Sequence, residues 1–281
     1  ISGHALKPIR EFSDKIEEVQ LQNLSDSQIE ENQVKELNRL SVSYNKMLER
    51  LSEAFKIQRQ FTENAAHELR TPLSLMQVQL DLYNSGKHPG NDADTIQTIK
   101  MVTEQNERLS KMVKTLLDMS ELQTVGRDET IIVNALVDEV LADLEPLAQE
   151  KNIKLIGKCK DVNMVGSDIL IYRLVYNLVE NAIKYNHSGG QVSVEAYQRE
   201  KQVYLSVKDT GNGIPEELKE RVFEPFFRVD KSRSRELGGV GLGLAFVNEI
   251  VRVHDGSIVI RPNPSGGTII EVQFAVNRTT A

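Results

Sequence analysis

The spacing of apolar residues divides the chain near residue 125, and this division constrains the fold more than any other feature. Before it, apolar side chains recur every three or four residues, and strand signals are nearly absent. One run has the 3-4-3-4-3 spacing of a coiled-coil seam and comprises Leu37, Leu40, Tyr44, Met47, Leu51 and Ala54. After residue 125, short strand patterns alternate with helical patterns and glycine turns. The sequence therefore predicts a helical part followed by an α+β part.

The helical part begins with a short amphipathic helix over residues 6–19, followed by two long helices. The first long helix extends past residue 80, a turn-rich segment covers 84–91, and the second helix runs from about 94 to 122. Two long helices joined by a short loop predict an antiparallel hairpin with an apolar stripe on each arm. A dimeric four-helix bundle would bury the face left over, and the alternative is a solitary hairpin docked on the next domain.

The second part is predicted to be a sandwich in which helices cover one side of an antiparallel sheet. Predicted helices cover 134–151, 169–185 and 244–254, and predicted strands cover 154–158, 191–197, 202–209, 257–261 and 268–274.

Charge and cysteine content exclude several classes of protein. Acidic residues outnumber basic ones 41 to 34, which gives a net charge of −7 and argues against a general nucleic-acid or lipid-surface binder. The single cysteine, Cys159, excludes an intrachain disulfide, and we interpret it as a small apolar residue in a strand. The sequence contains no run of 18 apolar residues, which is the length that would predict a transmembrane helix.

Two asparagines and a lysine share one face of a predicted helix. Asn177, Asn181 and Lys184 lie at i, i+4 and i+7. Amide oxygens with an ammonium group suit Mg²⁺ and the phosphates it bridges, although a solvated polar face would show the same pattern.

Two glycine motifs follow. The turn Asp209–Gly213 ends an apolar strand, and by itself it is equally well explained as structural. The run Gly238–Gly243 directly precedes a helix, so its backbone N–H groups could face a phosphate chain. It is neither a P-loop, because no Gly-Lys-Ser/Thr follows, nor a dinucleotide fingerprint, because no strand feeds into it.

His67 is predicted to point outward from the first long helix. It lies two residues from the apolar positions Ala65 and Leu69, about 200° around the helix. Pro72, which removes a backbone hydrogen bond, follows within the same helix.

Together these motifs resemble those of sensor histidine kinases. The resemblance rests on the helix face with Asn177, Asn181 and Lys184, on the two glycine motifs and on the phenylalanine box Phe223–Arg228. These motifs are similar to those of the Bergerat (GHKL-type) ATP-binding fold, which gyrase-type topoisomerases and a heat-shock chaperone share. The stretch Ala65–Leu73 resembles the phosphoacceptor box of the family. The resemblance implies a HAMP signalling module at 1–54, a dimerisation and histidine phosphotransfer domain at 55–124, and a catalytic ATP-binding domain at 125–281.

The resemblance also implies roles for individual residues. Asp209 would accept the adenine amino hydrogen, Gly213 would let the base approach the backbone, and Asn181, helped by Asn177, would hold Mg²⁺. The other residues that it assigns to ATP binding are Lys184, Tyr185, Gly211, Phe226, Arg228, Gly239, Gly241 and Gly243, with the basic run Lys231, Arg233 and Arg235 in a lid.

The implied activity is ATP-dependent autophosphorylation of His67 within a homodimer, followed by transfer to an aspartate of a response regulator receiver domain. Glu68 would accept a hydrogen bond from the second imidazole nitrogen, and Glu68 with Thr71 would support dephosphorylation of the regulator. One competing hypothesis is a GHKL-type ATPase that drives conformational change, although Asn177 stands where such enzymes carry a carboxylate and Glu180 lies one residue off that face. The other is a pseudokinase scaffold. Whether transfer occurs in cis or in trans stays open.

The start of the chain at Ile1 also fits this family. HAMP modules directly follow a transmembrane helix, so the resemblance implies the cytoplasmic portion of a membrane protein that is anchored through a segment upstream of residue 1. The expected partners are a second copy and a receiver domain, with ATP and Mg²⁺ as cofactors and no nucleic acid.

Overall fold

The structure is a computed structural model that describes residues 35–84, 92–230 and 239–276. Its contacts divide the chain into two compact units, residues 1–67 and 68–281. The predicted helix at 6–19, the turn at 85–91 and the basic run Lys231, Arg233 and Arg235 lie outside the described residues. No helix among the described residues has both the length and the apolarity needed to cross a membrane.

The two long helices predicted for the helical part are both present among the described residues. They are α1 (Lys35–Asn84), which continues through Pro72, and α2 (Asp92–Glu121). The Thr95 hydroxyl lies 3.4 Å from the Tyr83 hydroxyl, and Arg108 Nη2 lies 3.7 Å from Glu68 Oε2. The earlier residue of α1, Glu68, thus contacts the later residue of α2, Arg108. The two helices therefore form an antiparallel hairpin.

The hairpin leaves a large part of its apolar surface exposed. Exposed positions of the predicted stripes include Leu73, Leu80, Tyr83, Ile99 and Val113. An exposed apolar stripe of this length on a helix pair indicates a surface that another element covers.

The remainder of the chain is an α+β domain with a five-stranded sheet in the order β2-β4-β5-β7-β6. Strand β2 runs parallel to β4, and the other neighbouring pairs are antiparallel. The strands are β2 (Lys154–Cys159), β4 (Gln191–Arg199), β5 (Gln202–Asp209), β6 (Ser257–Pro262) and β7 (Thr268–Ala275). The helices are α3 (Val133–Glu150), α4 (Asp168–Lys184) and α5 (Gly243–Val253).

Sequence reasoning missed a second, two-stranded sheet. Strand β1 (Glu129–Ile132) pairs antiparallel with β3 (Asn163–Gly166), and Ile131 lies opposite Met164. Each strand has only four residues, which is too short for the alternation of apolar and polar residues to be distinctive.

Strand alternation places the core on one face of the main sheet. Val203, Leu205 and Val207 of β5 are buried and face the helices, whereas Tyr204 and Lys208 on the opposite face are half-buried. On the helical side, α4 contributes a continuous buried face of Leu170, Ile171, Leu174, Val175, Leu178, Val179, Ala182 and Ile183. The opposite face of α4 is thereby left for polar residues.

A buried histidine connects α4 to α5. The backbone N–H of Ser167, at the start of α4, donates to His254 Nε2 over 3.1 Å. His254 Nδ1 lies 2.8 Å from the Ile250 carbonyl, so Nδ1 carries the proton and donates it. These two bonds fix the relative positions of the helices that carry the candidate site residues.

Candidate nucleotide-binding site

The predicted motifs converge on a cavity of about 420 Å³. This volume is within the range typical of small-molecule sites. The predicted residues that line it are Asn177, Asn181, Lys184, Tyr185, Asp209, Gly213, Arg228, Gly239, Gly241 and Gly243. Gly211 and Phe226 are not part of the lining. Their backbone N–H groups donate hydrogen bonds to two residues that are, Asp209 and Gly241.

The Asp209 carboxylate is held in one orientation. Its Oδ1 accepts hydrogen bonds from the backbone N–H groups of Gly211 (2.8 Å) and Thr268 (3.2 Å). Oδ2 is the oxygen that these bonds do not use, and it is the candidate acceptor for an amino group of a ligand. Burial raises the pKa of Asp209, and the two backbone N–H groups partly offset that effect.

Three residues that sequence reasoning missed support Asp209. They are Asn263, Gly267 and Thr268. The Asn263 amide donates to the Asp209 carbonyl over 2.7 Å. Gly267 has a φ of +87°, and a Cβ there would lie 2.3 Å from the Asp209 carbonyl oxygen and 2.4 Å from Oδ1. The signal available in the sequence was the Gly-Gly-Thr triplet at the start of the last strand.

Two asparagine amides meet the N-terminus of α5. The Asn177 Nδ2 group donates to the Arg173 carbonyl over 2.7 Å, which turns its Oδ1 away from that carbonyl. A Cβ at Gly243 would lie 3.2 Å from Asn177 Oδ1 and 3.5 Å from Asn181 Nδ2. Unpaired N–H groups and the positive end of the helix dipole are therefore next to the two amides, an arrangement that suits phosphate oxygens.

The donor set also fits Mg²⁺ shared with phosphates. Within the described ranges, no three His, Cys, Asp or Glu side chains converge on a site that could hold a metal ion. Amide oxygens from Asn177 and Asn181 are hard ligands that would leave most positions to phosphate and water, as Mg²⁺ prefers.

Lys184 lines the pocket, but it is paired with a carboxylate. Its Nζ lies 2.8 Å from Glu180 Oε1, and Lys111 Nζ lies 3.0 Å from the same oxygen. Sequence reasoning placed Glu180 off the polar face, whereas the structure places it in the pocket lining. Burial opposes ionisation of Glu180, yet the two lysines outweigh it and hold the pKa of Glu180 below its usual value. Burial lowers the pKa of Lys184, and the charge of Lys111 adds to this effect.

Arg228 contacts a carboxylate as well. Its side chain is only 3% exposed, and Nη2 donates to Glu68 Oε2 and to the Val240 carbonyl (3.2 Å). Glu68, expected to bond the imidazole of His67, thus lies between Arg228 and Arg108. A buried guanidinium requires a counter-ion, and within the unit 68–281 Glu68 supplies it.

Phe226 joins the phenylalanine box to the second glycine motif. Its φ is +66°, which is unusual for a bulky residue, and its N–H donates to the Gly241 carbonyl over 2.8 Å. A Cβ at Gly241, where φ is +80°, would lie 2.7 Å from the Phe227 carbonyl oxygen. The close approach of the two segments therefore requires glycine at position 241.

The phosphoacceptor candidates lie on α1. His67 is exposed, and Ala65 and Leu69 are half-buried, in agreement with the predicted outward direction of the imidazole. Thr71, one turn after His67, is exposed as well.

The α+β topology and this pocket define an ATP-binding domain that follows a helical hairpin. Residues 166–278 match the family model "Histidine kinase-, DNA gyrase B-, and HSP90-like ATPase", and residues 57–125 match "His Kinase A (phospho-acceptor) domain". The chain belongs to the sensor histidine kinases, which confirms the identification made from the motifs.

Individual relatives agree with this assignment. The chain is 31% identical over 282 residues to the signal transduction histidine-protein kinase ArlS of Staphylococcus aureus, covering 97% of this chain and 61% of ArlS. The chain thus spans about three-fifths of the length of the curated relatives that it matches.

Solved structures share the fold. Acinetobacter baumannii histidine kinase AdeS matches with a TM-score of 0.62 and 25% identity, over 75% of this chain and 98% of that chain. The histidine kinase ThkA, solved in complex with response regulator protein TrrA, matches with a TM-score of 0.66 and 24% identity, over 87% and 68%.

Proposed function

We propose that the chain is an ATP-dependent protein-histidine autokinase that phosphorylates His67 and passes the phosphoryl group to an aspartate of a response regulator. The observation that carries the proposal is the pocket, in which the fixed Asp209 carboxylate and the α5 N-terminus with its two asparagine amides line one cavity. A chain of this family that also exposes a histidine in its phosphoacceptor domain has both a site for the phosphoryl donor, ATP, and a side chain that can accept the phosphoryl group.

In this proposal, Asp209 binds the adenine amino group and the N-terminus of α5 binds the phosphates. Gly239, Gly241 and Gly243 let the backbone approach the phosphate chain closely. Asn177 and Asn181 would hold Mg²⁺, which when bound neutralises phosphate charge.

The chemical step requires an unprotonated imidazole nitrogen on His67. Its lone pair forms the N–P bond while the bond from the γ-phosphorus to the bridging oxygen breaks, and ADP leaves with that electron pair. A neutral imidazole carries one unprotonated ring nitrogen, so no strong base is needed to produce this form. Glu68 would accept a hydrogen bond from the N–H of the other ring nitrogen and stabilise the positive charge that develops.

The ion pairs of Glu68 define a condition on this step. In the described arrangement, Arg228 and Arg108 hold the carboxylate that His67 would need. In this proposal Arg228 releases Glu68 Oε2 for the step, and Arg228, which already lines the pocket, then contacts the phosphates.

The partners proposed are a second copy and a receiver domain. The exposed apolar stripes of α1 and α2 support a dimeric four-helix bundle. The complex of ThkA with TrrA supports a response regulator as the acceptor. Glu68 and Thr71 would also orient a water for dephosphorylation of that regulator.

The domain boundaries belong to the same proposal: a HAMP module at 1–54, the phosphotransfer domain at 55–124 and the ATP-binding domain at 125–281. A HAMP module at this position would receive a signal from a membrane anchor upstream of residue 1, as the resemblance implies. The greater length of ArlS is consistent with such a segment.

The competing ATPase hypothesis needs a carboxylate that activates water in the pocket. Glu180 lines the pocket, but two ammonium groups hold its Oε1 and keep it a weak base. This arrangement favours a protein side chain over water as the phosphoryl acceptor.

The test is incubation with ATP labelled at the γ-phosphate. The parent chain should gain an acid-labile, base-stable label, and His67→Gln should gain none while it binds ADP as the parent does. Label retained by His67→Gln would refute the assignment of His67. A parent chain that binds ATP but gains no label would leave the pseudokinase scaffold as the better description.

A further inference from the structure

The second helix of the hairpin forms one wall of the nucleotide pocket. Lys111, Met112 and Thr115 of α2 line the cavity, and Met112 is completely buried. Seven residues after Lys111, on the same face of the helix, Asp118 Oδ2 lies 2.5 Å from Arg173 Nη1 of α4. Helix α2 is therefore docked on α4 through two contacts that are two turns apart.

Lys111 is the charged residue of this wall, and it forms an ion pair with Glu180 in the site. Its ammonium group reaches Glu180 Oε1 from a side chain that is 59% exposed, whereas the Glu180 side chain is only 12% exposed. Glu180 also holds Lys184, the lysine proposed to contact the phosphates. A single carboxylate oxygen is thus shared by a lysine from each of two helices.

This sharing matters because the proposed ligand is strongly anionic. A phosphate chain that takes Lys184 away from Glu180 would leave an ionised carboxylate near the phosphates, next to Asn181. Like charges at such distances in a partly desolvated pocket oppose binding. Lys111 is the second counter-ion of Glu180, and it comes from another helix, so its ion pair does not depend on the position of Lys184.

We infer that Lys111 is a positioning residue of the nucleotide site, which neutralises Glu180 so that Lys184 can bind phosphate. The inference rests on the proposed function of the pocket as an ATP site. It also couples nucleotide affinity to the docking of α2, because Lys111 belongs to the hairpin and Glu180 to the ATP-binding domain.

The test measures binding of MgATP and of adenosine to the full chain by isothermal titration calorimetry. Lys111→Ala should weaken MgATP binding about three- to tenfold, the range expected for losing one partly exposed charge partner. Adenosine, which carries no phosphate, should bind Lys111→Ala as it binds the parent. Lys114→Ala, a loss of the same charge on an exposed position of α2 outside the pocket lining, should change MgATP affinity less than twofold.

A double-mutant cycle identifies the partner of Lys111. In a Glu180→Gln background there is no carboxylate to neutralise, so Lys111→Ala should no longer weaken MgATP binding. An equal loss in both backgrounds, or parent-like MgATP affinity of Lys111→Ala, would overturn the inference. A weaker affinity for adenosine would also overturn it, because it would show general damage to the pocket. These readouts are binding constants, so a failure of His67 to become labelled would refute the proposed function separately.

Discussion

Two adjacent glycines provide a direct test of how Asp209 is fixed. Gly266 and Gly267 both have left-handed φ angles, +92° and +87°. Alanine at either position should introduce the same backbone strain, about 1–2 kcal/mol. Their surroundings differ, because the nearest heavy atom to a Cβ at Gly266 is 3.9 Å away, whereas a Cβ at Gly267 would lie 2.3–2.6 Å from atoms of Asp209 and Gly211.

The magnitudes follow from this difference. Gly266→Ala should cost only the backbone strain and leave ADP affinity within about twofold of the parent. Gly267→Ala should cost a further 1–3 kcal/mol or so, because ordinary contact requires the backbone around Asp209 to move by about 1 Å. In the proposed function Asp209 binds the adenine amino group, so moving its carboxylate should also weaken ADP binding by roughly tenfold to a hundredfold.

Urea unfolding of the ATP-binding domain and calorimetric titration with ADP measure the two effects. Gly266→Ala is the matched control, since it has the same chemistry, the neighbouring position and a similar φ angle. The reasoning is refuted if Gly267→Ala binds ADP as well as Gly266→Ala does, because the contact with Asp209 would then have no effect on its orientation.

Two further predictions concern buried polar groups. Burial raises the pKa of Asp209 in the folded chain, so the folded state binds the proton more tightly and stability falls as the pH rises through that pKa. Asp209→Asn should therefore raise the unfolding midpoint at neutral pH while weakening ADP binding at least tenfold, and a lowered midpoint would contradict this sign. His254→Ala should destabilise the domain by about 2–4 kcal/mol in urea unfolding, since it leaves a cavity and the buried N–H of Ser167 unpaired. The exposed His187→Ala is the control and should change stability by less than about 0.5 kcal/mol.

The elements that the sequence predicted well are those with long periodic patterns. Both hairpin helices, the three helices of the ATP-binding domain and the five strands of the main sheet were predicted within a few residues. The two strands that were missed have four residues each, and their pairing joins segments more than 30 residues apart. Short strands of this kind are stabilised by their partner, which a local pattern does not contain.

The site residues follow the same rule. Asn177 and Asn181 were found because their spacing puts them on one helical face, and Asp209 because a glycine turn follows it. Gly267 and Lys111 were missed because each acts on a residue far along the chain, Asp209 in one case and Glu180 in the other. The Gly-Gly-Thr triplet marks a turn at Gly267, but the local sequence around neither residue indicates which distant residue it contacts.

The sequence by itself determined which groups are available for chemistry, because residue type and helical or strand period are local properties. The helical period was sufficient to predict the polar face of α4, and the family resemblance of the motifs predicted a phosphoacceptor helix and an ATP-binding domain. The tertiary structure decided which charges are paired. Arg228 pairs with Glu68, and Lys184 shares Glu180 with Lys111. Pairing of this kind depends on burial and on distances between separate elements, because a charge removed from water requires the nearest opposite charge wherever the fold places it.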